Sequence, residues 1–166
     1  MNSDAISSTC DLCDEHKSDS SGALRVLPPV FHSYGGRARM AGLVSTVQCL
    51  DDNSRVKEAV NTPGNGRVLL VDAGGTVRRS MVGGLLAEAA ARNGWAGVVV
   101  WGAVRDKAEL AAAELGVFAL ALTPMPTDRK DQGLRDVPVQ IDGLLIRPGE
   151  YLVADEDGIV VLPTRL

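Results

Sequence analysis

The chain has 166 residues, a formal net charge of −4 and 45 % hydrophobic residues, enough for a sizeable core, and with only 4 % aromatics that core has to be aliphatic. The acid surplus sits in residues 1–22, where Asp4, Asp11, Asp14, Glu15 and Asp19 face Lys17 alone; the remaining 16 acidic and 16 basic residues form a neutral body, which argues against direct nucleic-acid binding. No apolar run is long enough to span a bilayer, and the acidic, polar N-terminus is unlike a signal peptide, so one cytoplasmic domain over 1–166 with no membrane partner is the expectation.

Residues 1–7 are small and polar and read as a frayed tail, followed by a short helix over 8–16 and a loop, KSDSSGA, over 17–23. Cys10 and Cys13, with His16 and His32 nearby, carry thiol and imidazole donors, but the spacing matches no zinc-finger or redox pattern. Together with Cys49 they are expected to be structural thiols. Pro28-Pro29 marks an extended segment and Tyr34-Gly35-Gly36-Arg37 a turn. Residues 40–50 alternate loosely as a strand does, and 55–60 read as a short helix stopped by Pro63-Gly64-Asn65-Gly66. Residues 67–72 give a second buried strand, after which Asp72 has a turn or capping role. The Gly74-Gly75 pair that follows lacks the Lys-Ser/Thr of a P-loop and is a poor dinucleotide fingerprint.

The central stretch is Gly83–Glu109. A glycine pair opens an apolar-periodic helix through Leu85, Leu86, Ala89 and Ala90, and Asn93-Gly94 stops it. Val98, Val99, Val100 and Trp101 form the continuous run of a strand covered on both faces, and Arg105 and Asp106 follow its end, where open α/β sheets place ligands. Backbone N–H groups at Gly83-Gly84 can hold a carboxylate at the positive end of the helix. Arg105 offers a planar fork for a carboxylate or enolate oxygen, and Asp106 a hard oxygen ligand for a divalent ion. The plainer reading is a solvated pair, with Asp106 capping a helix that begins at Lys107.

That last helix is expected to run to Gly116, with a strand over 117–122 and a loop over 123–135 that is a candidate lid or interface. Residues 137–141 and 144–146 read as a hairpin turned at Asp142-Gly143, with final strands over 151–154 and 159–162. The fold class is α/β, βαβα in the middle and β-rich behind.

Gly84, Arg105, Asp106 and Glu109 resemble the G-x20-R-D-x2-E/D signature of the RraA-like family, which includes class II 4-hydroxy-4-methyl-2-oxoglutarate aldolases and regulators of ribonuclease activity. STCDLCD at 8–14, YGGRA at 34–38, GLVSTV at 42–47, VLLVDAGG at 68–75, PGE at 148–150 and DEDGIVVLP at 155–163 resemble further family segments, in the same order. The resemblance implies a swivelling β/β/α domain with mixed sheets and flanking helices, assembled as a homotrimer or a dimer of trimers with sites between subunits. It implies a magnesium or manganese ion at Asp106, the carboxylate of a 2-keto acid on the backbone of Gly83, Gly84, Leu85 and Leu86, and Arg105 both binding substrate and stabilising a pyruvate enolate. The substrates implied are 4-hydroxy-4-methyl-2-oxoglutarate and 4-carboxy-4-hydroxy-2-oxoadipate, with oxaloacetate decarboxylation alongside. A lysine Schiff base is the rival chemistry, but none of Lys17, Lys57, Lys107 and Lys130 lies in a buried apolar strand.

Two features depart from the longer aldolases. They commonly carry Asp at the position of Gly84, where it helps hold the ion's water shell; its absence weakens metal binding or shifts the role to another carboxylate, such as Asp72 or one from a partner chain. They also continue into a C-terminal helix that reaches a neighbouring subunit, whereas this sequence ends at Leu166. The competing expectation is a regulator that docks on ribonuclease E without chemistry; the best-known regulator has no carboxylate at the position of Asp106.

Overall fold

The aliphatic runs form one curled sheet. In the computed structural model, which describes residues 5–164, the elements in chain order are α1 (Thr9–His16), β1 (Arg25–Val26), β2 (His32–Ser33), β3 (Met40–Gln48), α2 (Ser54–Val60), β4 (Val68–Asp72), β5 (Ser80–Val82), α3 (Gly84–Arg92), β6 (Gly97–Val104), α4 (Lys107–Ala112), β7 (Gly116–Leu122), β8 (Leu134–Arg135), β9 (Val139–Ile141), β10 (Leu144–Ile146), β11 (Tyr151–Ala154) and β12 (Ile159–Leu162). The strand order is β1-β12-β11-β3-β4-β6-β7-β2, with β5 beside the end of β6 and β8 beside β3. Strands β3, β4, β6 and β7 are mutually parallel, and the flanking pairs are antiparallel. This is the mixed α/β architecture expected. The frayed tail falls partly outside the described residues, and Ala5–Ser7 have no regular structure.

Strand β4 shows why its run is wholly apolar. Val68 and Leu70 face one core, Leu69 and Val71 the other, and all four are fully buried. Strand β6 repeats the pattern, with Val99 on one side and Val98 and Val100 on the other. Helices α2, α3 and α4 close the first core with Val56, Leu86 and Leu110. The second lies where the sheet curls: residues 27–31 carry the chain from the β12 edge to the β7 edge, and the β9–β10 hairpin seals it with Val139, Ile141 and Ile146. The hairpin turns at Asp142 (φ 50°) and Gly143 (φ 77°), the two left-handed residues a tight two-residue loop demands. Helix α1 packs Leu12 against Val153, Val160 and Leu162.

Several expectations need correction. Helix α4 stops at Ala112 rather than reaching Gly116, because Ala113 turns extended (ψ 134°) and delivers the fully buried Leu115 to the core before Gly116 pairs with Gly97. The 123–135 segment is not wholly loop, since Leu134–Arg135 pair with Val47 and Gln48. Strands β1, β2 and β5 have no counterpart in the sequence reading. Asp72 has the turn role expected, its Oδ1 accepting from the Gly74 N–H at 2.9 Å. Cys49 is buried, and its thiol is pushed up to about 12, first by burial and then by Asp72, Asp52 and Asp51. Among the described residues, no helix is long and apolar enough to cross a membrane.

Three buried carboxylates brace the connections. Glu150 is paired with Arg25, Asp155 accepts from the backbone and side chain of Thr9, and Asp52 accepts from Ser54, Lys130 and Gln132. Burial alone raises each group, but these bonds outweigh it and hold all three below the ordinary carboxylate range. A depressed folded-state value stabilises above the unfolded value and is lost as pH falls through the folded one. The melting temperature, followed by circular dichroism, is therefore expected to hold from pH 7 towards 5 and to drop steeply below about pH 4.

Candidate active site

The parallel strands all end on one side, and the connections after β3, β6 and β7 meet the start of α3 there. They enclose a pocket of about 290 Å³. The pocket thus lies at the carboxyl ends of the strands, as open α/β sheets predict.

Helix α3 begins without a side-chain cap, because its N-cap residue is Gly83, in extended backbone (φ −118°, ψ −168°). The Gly84 N–H donates to Asp106 Oδ2 at 2.8 Å, and the first helical bond runs from the Ala87 N–H to the Gly83 carbonyl. Between them, the amides of Leu85 and Leu86 have no acceptor among the described residues, and both residues line the pocket. Unpaired first-turn amides on a helix dipole form an anion site.

Asp106 does not do what the plainer reading expects. It occupies the N-cap position of α4 and its carbonyl accepts from the Leu110 N–H, but it sits in the left-handed region (φ 64°, ψ 51°) and its side chain makes no bond to its own helix. The strained backbone, which Asp tolerates better than most residues, turns the carboxylate away from α4 and onto the start of α3. Its Oδ1 is left without a protein partner among the described residues. Arg105 donates its backbone N–H to the Val82 carbonyl at 3.0 Å and Nη1 to the Pro124 carbonyl at 3.3 Å, which places its guanidinium in the pocket wall without an ion-pair partner among the described residues.

The glycine pair is needed for this approach. A Cβ on Gly83 would lie 2.7 Å from Asp106 Oδ2 and 3.4 Å from Arg105 Nε. A Cβ on Gly84 would overlap the Glu109 carboxylate. Glu109 therefore fills the volume that a side chain at position 84 would occupy, on the side of the adjoining α3–α4 groove. Asp72, considered as a replacement carboxylate, is absent from the pocket and engaged in its own turn. Asp106 in the pocket and Glu109 in the adjoining groove are carboxylates on either side of the glycine pair that could serve a divalent ion. Glu109 lies within the signature and one helical turn after Asp106, and that spacing is the signal for its part.

The structure adds residues the sequence reading missed. Asn53, Lys57, Ser80, Thr127 and Arg129 also line the pocket, brought in from α2, β5 and the segment after β7. The 123–133 segment is fastened down: Asp52 accepts from the Lys130 and Gln132 amides, Asn53 Oδ1 from Thr127 Oγ1 and Arg129 Nε, and Arg55 pairs with Asp131. No local pattern marks these residues, because they converge only through the fold.

A curled mixed sheet with flanking helices, whose strand ends gather a glycine-opened helix start, an arginine and an aspartate, is an α/β protein of the swivelling β/β/α type. The RraA-like family model, described as Aldolase/RraA, matches residues 9–161, and the chain belongs to that family. A protein from Albidiferax ferrireducens named "Putative 4-hydroxy-4-methyl-2-oxoglutarate aldolase" is 54 % identical over 95 % of this chain and 96 % of its own length. An Ectopseudomonas mendocina protein of the same name is 50 % identical over 95 % of each chain. Among solved structures, the RNA-processing inhibitor RraA from Thermus thermophilus superposes with a TM-score of 0.90 at 44 % identity, covering 96 % of this chain and 94 % of that one.

Proposed function

We propose that this chain is a metal-dependent class II aldolase that cleaves 4-hydroxy-4-methyl-2-oxoglutarate and 4-carboxy-4-hydroxy-2-oxoadipate to release pyruvate, with oxaloacetate decarboxylation as a side activity. The observation that carries the reading is Asp106, whose backbone strain turns its carboxylate out of its own helix and onto the start of α3 beside Arg105. The names of the relatives at 54 % and 50 % identity support the same chemistry.

Magnesium or manganese takes one or two carboxylates and fills its remaining positions with water and substrate oxygens. Asp106, with a free Oδ1, and Glu109 at the glycine pair fit that donor set. Bound there, the ion would supply Lewis-acid polarisation of the 2-keto group. The Leu85 and Leu86 amides hold the adjacent carboxylate, while Gly84, whose amide is taken by Asp106, and Gly83 supply clearance. In the cleavage the C3–C4 bond breaks, its electron pair moves onto the C2 oxygen, the 4-hydroxyl loses its proton as C4 becomes a carbonyl, and a proton taken up at C3 turns the enolate into pyruvate. In decarboxylation the same pair comes from the C3–carboxylate bond and CO₂ leaves. Arg105 faces the charge that develops on the enolate oxygen. The family resemblance extends the proposal to a homotrimer or a dimer of trimers.

The test is pyruvate release from 4-hydroxy-4-methyl-2-oxoglutarate and from oxaloacetate, with magnesium and with chelator, after subtracting spontaneous oxaloacetate decay. Turnover that chelator abolishes supports the aldolase. No turnover above background, with the oligomer intact by light scattering, overturns it. That outcome favours the second reading, raised by the likeness to the Thermus inhibitor: a regulator that docks on ribonuclease E and needs neither metal nor keto acid.

The Gly84–Glu109 relation gives a separate prediction. Glu109→Ala is expected to lower kcat/KM about 10–100-fold, the usual cost of losing a group that orients the ion's shell. Gly84→Asp in that background places a carboxylate in the vacated volume and restores much of the loss, whereas Gly84→Asp alone requires the exposed Glu109 side chain to swing aside.

A further inference from the structure

Cleavage and decarboxylation share their last step: each leaves an enolate that becomes pyruvate only when C3 takes up a proton. Few side chains lining the pocket can give one. Arg105 and Arg129 carry guanidinium groups, which do not surrender a proton in proteins. The Ser80 hydroxyl donates to the Val82 carbonyl at 3.1 Å and the Thr127 hydroxyl to Asn53 Oδ1 at 2.7 Å, so both hydroxyl protons are engaged. The Asn53 amide is no acid, and its Nδ2 is held by the Met81 carbonyl at 2.9 Å. Asp106 serves an ion only in its ionised form, with no proton to pass on. Lys57 remains, and a lysine ammonium can give up a proton and regain it.

The fold holds Lys57 at the pocket and leaves its side chain uncommitted. The Lys57 N–H donates to the Asn53 carbonyl at 3.0 Å, one helical turn away, so the two residues share a face of α2, and both line the pocket. Asn53 is buried and tied through its side chain to Met81 on β5 and to Thr127 after β7, which fixes that face. The neighbouring Glu58 is taken by Arg55 and Arg135, and Lys57 has no ion-pair partner among the described residues. Lys57 is also exposed, so solvent can return a proton to it. It comes from α2, whereas Arg105 comes from the end of β6 and the Leu85 and Leu86 amides from α3. The groups for the oxygen end of the enolate and the group for C3 thus reach the pocket from different elements.

We infer that Lys57 is the general acid that protonates C3 of the enolate. The C2–C3 π pair forms the new C3–H bond, the C2 carbonyl is restored, and the Nζ–H bond breaks with its pair staying on nitrogen. The neutral amine then takes a proton from water. Nζ carries a proton and forms no bond to carbon, which separates this role from a Schiff base. The assignment rests on the keto-acid reading above.

Run in reverse, the neutral amine removes a proton from C3 of pyruvate, so the test is exchange of the pyruvate methyl protons in D₂O. Loss of the methyl signal is followed by proton NMR with magnesium and saturating pyruvate, and pyruvate binding is measured separately by calorimetry. Lys57→Ala is expected to slow exchange about 10²–10³-fold, the usual loss of a general acid–base group, with the dissociation constant for pyruvate within about threefold of wild type. Lys57→Arg, which keeps a charge but has no proton to transfer, stays as slow. Trimethylamine, which cannot form an imine, restores exchange in Lys57→Ala in proportion to its concentration. Because Lys57 is exposed, both variants are expected to fold. Exchange near the wild-type rate in either variant, rescue by methylamine but not by trimethylamine, or a wild type that binds pyruvate without exchanging it overturns the acid role while the keto-acid site stands. Failure of the wild type to bind pyruvate overturns the keto-acid reading as well.

Discussion

Asp106→Ala is expected to lower metal-dependent pyruvate formation at least about a hundredfold, with a modest loss of stability. Lewis-acid assistance is worth several kcal/mol, and each 1.36 kcal/mol is a factor of ten. The stability loss has another cause: the Gly84 N–H donates to Asp106 Oδ2, so the first turn of α3 loses the side-chain acceptor that Asp106 supplies from outside the helix, a contribution of about 1 kcal/mol. Asp106→Asn separates the two roles. Asn tolerates the left-handed backbone and still accepts from Gly84, so the melting temperature is expected to stay close to wild type while activity remains as low as in Asp106→Ala. Rates near wild type in Asp106→Asn would remove the metal role from this carboxylate.

Arg105→Ala is expected to reduce kcat by about 10²–10³, the effect of removing one preorganised donor from a developing oxyanion. Its half-buried side chain makes one hydrogen bond, to the Pro124 carbonyl, so stability changes little. Arg105→Lys retains a charge but loses the fork and the reach to Pro124, and should recover only part of the rate. If both variants turn over oxaloacetate within about threefold of wild type, a change worth under 1 kcal/mol, Arg105 is a wall residue rather than a participant.

Legibility in the sequence followed the range of the interactions involved. Strands β4 and β6 could be read because burial on both faces forces an unbroken apolar run, and α3 because its periodicity follows a glycine pair. The β9–β10 turn could be read because Asp142-Gly143 suits a backbone few other pairs adopt. Strands of two or three residues, β1, β2, β5 and β8, are too short to show any period and exist only because a neighbouring strand offers free hydrogen bonds. In the site, Arg105 and Asp106 stood out as charges at a strand's end. The geometry of Asp106 did not, since a left-handed Asp that declines to cap its own helix has the same sequence as one that caps it. Asn53, Lys57 and Arg129 were out of reach for a simpler reason: residues 53 and 129 lie 76 positions apart and meet only when β3 and β7 take their places in the sheet.

The fastening of the segment after β7 bears on how readily a ligand is captured. Had residues 127–132 been loose in the free protein, a ligand would have to freeze them, at about 1–2 kcal/mol of backbone entropy per residue, and its affinity would be discounted accordingly. Asp52 settles that ordering during folding instead, from a buried position outside the pocket lining. The protein's own stability, rather than the ligand's binding energy, therefore carries the cost of a rigid pocket wall. A change at Asp52 should be felt first as weaker capture of small acids and only then as a loss of fold.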